Sequence, residues 1–98
     1  MARDTETEDL RLVVLRLLGE ASGYRGNESL LLALLEDWGH VVSRDKVRAE
    51  LAWLGEQGAV EIDEIGGVMI AALTARGHDA ARGAATIPGV RRPRPGAA

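Results

Sequence analysis

Cysteine is absent from the 98-residue chain, which excludes disulfide staples and thiolate metal sites. Histidine occurs only at positions 40 and 78, with no ligand spacing around either, so no metal site and no other cofactor is expected. Phenylalanine is also missing, and Tyr24, Trp38 and Trp53 are the only aromatics. Leu, Val, Ile and Ala must therefore fill the core, a composition that favours helices packing on helices. No apolar run approaches the ~18–20 residues of a membrane span. The N-terminal stretch, residues 1–9, is charged and has no apolar segment of the kind a secretory signal needs. These absences lead us to expect a soluble, cytoplasmic protein. Nor is there a phosphate-binding glycine loop or a recognisable nucleophile–base pair. No enzyme is expected.

The charge that is present is unevenly placed. The chain holds 12 basic and 15 acidic residues, net −3. Arg91, Arg92 and Arg94 are the only charges after Gly83, so residues 84–98 are +3 and residues 1–83 are −6. All three prolines, Pro88, Pro93 and Pro95, lie in the same basic segment. The chain thus divides into a body, 1–83, and a basic Pro/Arg tail, 84–98. The tail is expected to be extended or disordered in isolation.

Apolar residues recur at helical spacing at Leu10, Val13, Val14, Leu17, Leu18 and Ala21, after the acidic run Asp4, Glu6, Glu8, Asp9. Ser22-Gly23 ends this helix and 22–26 reads as a loop. Asn27 is a good N-cap for a second helix with Leu30, Leu31, Leu34, Leu35 and Trp38 on its apolar face and Gly39 beyond its end. Ser43 caps a third, running to about Gln57, with Val47, Leu51 and Leu54 inward. Residues 59–65 and 68–73 read as strands joined by Gly66-Gly67, a strong hairpin signal. Thr74 caps a fourth helix that ends before Gly83. The order α-α-α-β-β-α is that of a winged helix-turn-helix: mainly α, with a small β-hairpin as the wing.

At this level the chain resembles a known group. Residues 42–58, Val-Ser-Arg-Asp-Lys-Val-Arg-Ala-Glu-Leu-Ala-Trp-Leu-Gly-Glu-Gln-Gly, are similar to the third helix of ArsR-like winged-helix proteins. Together with Asn27-Glu28-Ser29-Leu30-Leu31, the run Leu73–Gly83 and Ile87-Pro88-Gly89-Val90-Arg91-Arg92-Pro93, they resemble a family of short proteins of Mu-like phages and prophages. That resemblance implies a phage or prophage transcriptional regulator that binds double-stranded DNA, as a homodimer, in a bacterial host cell.

The residues themselves divide on this. DNA readers place the third helix in the major groove, and Arg44, Lys46 and Arg48 are the cations available there. These three also have Asp45, Glu50 and Glu56 close by in sequence as alternative partners. The expected wing carries Glu61, Asp63 and Glu64 and no base, which repels phosphate. Arg91, Arg92 and Arg94 are candidates for an auxiliary DNA-binding arm, for contact with an acidic partner, or for solubility alone. Trp53, on a flank of the third helix, is a candidate interface residue or packs on the hairpin or a neighbouring helix. Trp38 is expected in the core. The apolar stripe of the first helix is wider than one face needs, making Leu12 and Leu15 candidates for burial against a second copy of the chain. A winged-helix module that docks another phage or host protein and does not bind DNA is the alternative function.

Overall fold

The computed structural model describes residues 4–95. The first helix, α1, spans Thr5–Glu20. It begins earlier than the apolar periodicity, because Asp4 accepts a hydrogen bond from the Thr7 amide at 3.0 Å and caps the acidic first turn. Helix α2 (Glu28–Asp37) is capped by Asn27, α3 (Arg44–Glu56) by Ser43, and α4 (Ala75–Ala81) by Thr74, each a residue whose side chain satisfies an amide of the first turn.

Strands β2 (Val60–Ile65) and β3 (Val68–Leu73) form the hairpin. Gly66 and Gly67 both have positive φ, 59° and 80°, as a two-residue turn matched to strand twist requires. The sheet has a third member. Arg25 and Gly26, expected as loop, form β1 together with the cap residue Asn27 and pair antiparallel with β3, giving the order β1-β3-β2. A single turn of 3₁₀ helix at Ser22–Tyr24, with Gly23 and Tyr24 at positive φ, turns the chain into this strand. Gly26 is buried there, and a Cβ on it would lie 3.3 Å from Leu18 Cδ2. The burial of these three residues alternates, but the buried one is a glycine, so no apolar side chain marks the strand in the sequence. Among the described residues the architecture is therefore four α-helices with a three-stranded antiparallel sheet, richer in β structure than expected and compatible with a winged-helix-like fold.

One core joins the four helices and the hairpin: Leu10, Val14 and Leu18 from α1, Leu31 and Leu35 from α2, Val47, Leu51 and Leu54 from α3, Val60, Met69 and Ala71 from the hairpin, and Ala80 and Ala81 from α4. Ile87 and Val90 belong to it too, at 1% and 6% exposure. The segment 84–95 is therefore laid on the body. The Arg91 amide donates to the Glu8 carbonyl at 3.1 Å, and the Arg11 guanidinium donates to the Gly89 carbonyl at 2.9 Å. Residues 96–98 of the predicted tail lie outside the described residues.

This packing changes three expectations. Leu12 and Leu15, proposed for a dimer interface, are 3% and 0% exposed within one chain. Helix α4 packs along α1, and Ile87 and Val90 join the same cluster, so no second copy is needed to cover the wide stripe. Trp38 is half exposed, not core. Helix α2 ends at Asp37, and Trp38 is its C-cap with non-helical dihedrals, which carries the ring off the buried face. Leu30, placed on that face by spacing, is also exposed.

Candidate interaction surfaces

Helix α3 positions its three cations against acids of the same chain. Arg44 donates to Glu28 Oε1 at 2.9 Å and to Ser29 Oγ at 3.0 Å. Arg48 pairs with Glu28 Oε2 and, at 3.1 Å, with Glu64 on β2, and also reaches the Gly67 carbonyl. Lys46 Nζ lies 2.9 Å from Glu50 Oε2 and 2.8 Å from Thr7 Oγ1. Of the neighbours named from sequence, Glu50 is a partner. The principal partner, Glu28, comes from the first turn of α2, too far away in sequence for helical spacing to reveal.

Glu28 organises this face. It is 2% exposed, and it accepts from the Met69 amide at 2.6 Å as well as from both arginines. The Met69 amide and the Arg44 guanidinium hold its carboxyl below the ordinary value against the opposing effect of burial, and Arg48 adds to the shift. One carboxylate thus ties α2, α3 and the hairpin together. On its other edge α3 repeats the device. Burial pushes the Glu50 carboxyl up, but the hydrogen bonds and charges of Arg11 and Lys46 outweigh it and leave it lowered. Arg48 is held charged above its ordinary value by Glu64, then by Glu28.

With these pairs made, the remaining charge on α3 and the hairpin is acidic. Asp45, Glu56 and Glu61 have no ion-pair or hydrogen-bond partner among the described residues. Asp63 accepts, among the described residues, only the Glu64 amide. Between α3 and β2 runs an open groove of about 540 Å³, floored by Ala52, Gly55, Val60, Ile62 and Met69 and edged by Glu56 and Glu61.

Trp53 meets a neighbouring helix, α1, which was one of its foreseen positions, and also the tail, which was not foreseen. The Arg11 guanidinium lies over its ring at 3.7 Å, while Arg11 Nε donates to Glu50 at 2.7 Å. The ring backs onto Gly89, where a Cβ would stand 2.8 Å from two of its carbons and φ is +94°. Trp53 therefore anchors the tail against α3.

The tail arginines separate. Arg91 turns inward to Asp9 at 2.9 Å, and the same carboxylate holds His40 Nε2 at 2.8 Å. Arg92 and Arg94 instead line an open cleft of about 570 Å³ with Arg16 and Glu20 of α1, Trp38, His78 and Arg82. His78 also meets the Tyr24 ring at a centroid distance of 6.2 Å. Among the described residues no group of three or more His, Cys, Asp or Glu could hold a metal ion. No helix there is long and apolar enough to cross a membrane.

Comparison with known proteins decides the kinship. The uncharacterized protein gp26 of Escherichia phage Mu is 46% identical over 95 residues, spanning 97% of this chain and 98% of its own length. The chain belongs to the phage Mu gp26 family. An uncharacterized protein of Haemophilus influenzae is 51% identical over 71 residues, 71% of this chain and 69% of that protein. No family model matches the chain, and no solved structure matches it. The Mu gp26 alignment takes in the capped helices, the hairpin and most of the 84–95 segment together, so the relationship covers both surfaces described above.

Proposed function

We propose that this protein is a winged-helix adaptor of a Mu-like phage that docks a protein partner on its α3–hairpin face. The winged helix-turn-helix reading is supported by the order of the elements, by α3 lying next to the hairpin, and by β1 closing the sheet. The observation that carries the docking role is that Arg44, Lys46 and Arg48 are all engaged with Glu28, Glu50 and Glu64. A groove-reading helix needs such cations free for phosphates and base edges. What α3 and the hairpin offer instead is an apolar groove rimmed by unpaired acids, which suits a segment with apolar anchors and basic flanks.

The test is a pair of measurements on the full chain. Titration of duplex DNA at low salt is expected to show no binding that depends on Arg44 or Arg48. Cross-linking from position 52 in infected or lysogenic cells is expected to trap a protein partner whose contact segment is basic, and Glu56→Lys/Glu61→Lys is expected to abolish that product. Duplex binding lost in Arg48→Ala would overturn the reading.

The second reading, a dimeric DNA-binding transcriptional regulator, is favoured by the same element order. It requires the Glu28 and Glu50 pairs to open on the operator so that Arg44, Lys46 and Arg48 reach phosphates. Its signature is the Arg48-dependent duplex binding just named.

A further inference from the structure

We propose that the cleft between the end of α1, α4 and residues 92–95 is a binding site for single-stranded nucleic acid. Arg16, Arg92 and Arg94 present guanidiniums to it, and none of the three has an ion-pair or hydrogen-bond partner among the described residues. This is the reverse of α3, where every cation is matched. Arg82 adds a fourth guanidinium, held by Asp79 at 3.0 Å across an exposed pair that offers little resistance to exchange. The opposing charge is Glu20, unpartnered on the cleft wall, together with the Asp79 carboxylate that stays beside Arg82.

The chain ends of three helices meet here. Glu20 closes α1, Trp38 caps α2, and Ala81 with Arg82 closes α4. Their C-terminal carbonyls each bring a partial negative charge of at most about half a unit, reduced by solvent. That charge offsets part of the arginine charge, so the site is modestly positive and its binding is weak and sensitive to salt.

Shape and the aromatic residue select the ligand. A concave cleft of about 570 Å³ admits one or two splayed nucleotides, whereas a duplex presents a convex surface to it. Trp38 stands on the rim with its ring half exposed, away from the core that its sequence position suggested. Unpaired guanidiniums with an exposed indole are the combination that holds a single strand, phosphates on the cations and a base on the ring. An acidic peptide would use the guanidiniums equally well but has no use for the indole. The alternation Arg92-Pro93-Arg94-Pro95 keeps this wall extended, and the buried Ile87 and Val90 fasten it to the body. The cleft thus has a fixed wall and not a loose basic arm. Nothing in the docking role of α3 requires this site, and the two surfaces share no residue.

The experiment is fluorescence anisotropy of the full chain with three probes at low salt: a labelled mixed-sequence single-stranded oligonucleotide, its duplex, and polyglutamate. The single strand is expected to bind more tightly than either of the others. The logarithm of its affinity should fall with that of salt at a slope of about −2, as for three phosphates on a single strand. Trp38→Leu should weaken binding by about fivefold or more, the loss of one stacked base. Arg92→Glu/Arg94→Glu should weaken it more than tenfold, with Arg16→Gln giving a smaller loss. These arginines lack partners, so the thermal melts of these variants should match the parent, separating lost binding from lost folding. Three outcomes would overturn the proposal. One is the absence of binding. Another is polyglutamate binding as tightly as the strand with Trp38→Leu unchanged, which would make the cleft a seat for an acidic protein. The third is a duplex preference that depends on Arg44 and Arg48.

Discussion

The α3–hairpin face and the α1–α4–tail cleft contain similar numbers of cationic side chains and differ in what those side chains meet. On α3 each cation is met by an acid, two of which, Glu28 and Glu50, are buried. In the cleft, three arginines face solvent with one free carboxylate among them. Composition treats these regions alike; pairing makes one a set of structural ties and the other a field available to a ligand. The charge that matters for recognition is the charge left after the chain has satisfied its own acids.

The largest effect is expected from Ile87→Ala, which attacks the support of the cleft. Removing a buried Ile side chain costs roughly 2–5 kcal/mol, readable in a denaturant melt, and should loosen residues 92–95 enough to lose oligonucleotide binding. If binding survives, the cleft does not depend on the docked tail. Next is Glu28→Gln, which keeps an acceptor for the Met69 amide but leaves Arg44 without a counter-charge and Arg48 with Glu64 alone. It is expected to lower the melting temperature clearly and to raise duplex DNA affinity at low salt, making α3 resemble the cleft.

The same acids set a pH dependence. Glu28 and Glu50 sit below their ordinary value of 4.5 when folded, so the unfolded chain binds protons more readily. The stability they contribute is complete above about pH 4.5 and is lost as pH falls through their lowered values. Melting temperatures measured from pH 7 to pH 3 should therefore drop most steeply at the acid end, and Glu28→Gln should flatten that drop. Gly89→Ala comes after these. Its Cβ meets the Trp53 ring at 2.8 Å and its φ is +94°, a misfit worth about 1–3 kcal/mol, seen as a changed Trp53 emission with the tail displaced. The smallest effect belongs to Arg82→Ala. Its exposed pair with Asp79 contributes about 0.5 kcal/mol or less, so stability should hold while oligonucleotide affinity falls slightly.

Much of this was legible in the chain. Asn27, Ser43 and Thr74 cap the helices where their short polar side chains indicate, and Gly66-Gly67 makes the hairpin turn. These are local devices, complete within four residues. What sequence left open was non-local. Strand β1 exists only because β3 supplies its partners. Trp38 leaves the core because α2 stops one residue earlier than its apolar stripe. The partner of Arg44 and Arg48 is Glu28, which looked like an ordinary first-turn acid. The basic tail reads as free because its charges dominate its composition, yet Ile87 and Val90, two apolar residues among prolines and glycines, decide that it is bound. The sequence signal that could have revealed this was the surplus width of the first helix's stripe, which asked for a cover; that cover is α4 together with the segment 87–90.

That placement has a consequence for biosynthesis. Because Ile87 and Val90 lie within the core, a nascent chain lacks part of its interior until these two residues have left the ribosome, and α1 completes its packing only when the segment 87–90 has joined it. A chain cut before Ile87 would bare part of the apolar side of α1 and become a substrate for quality control.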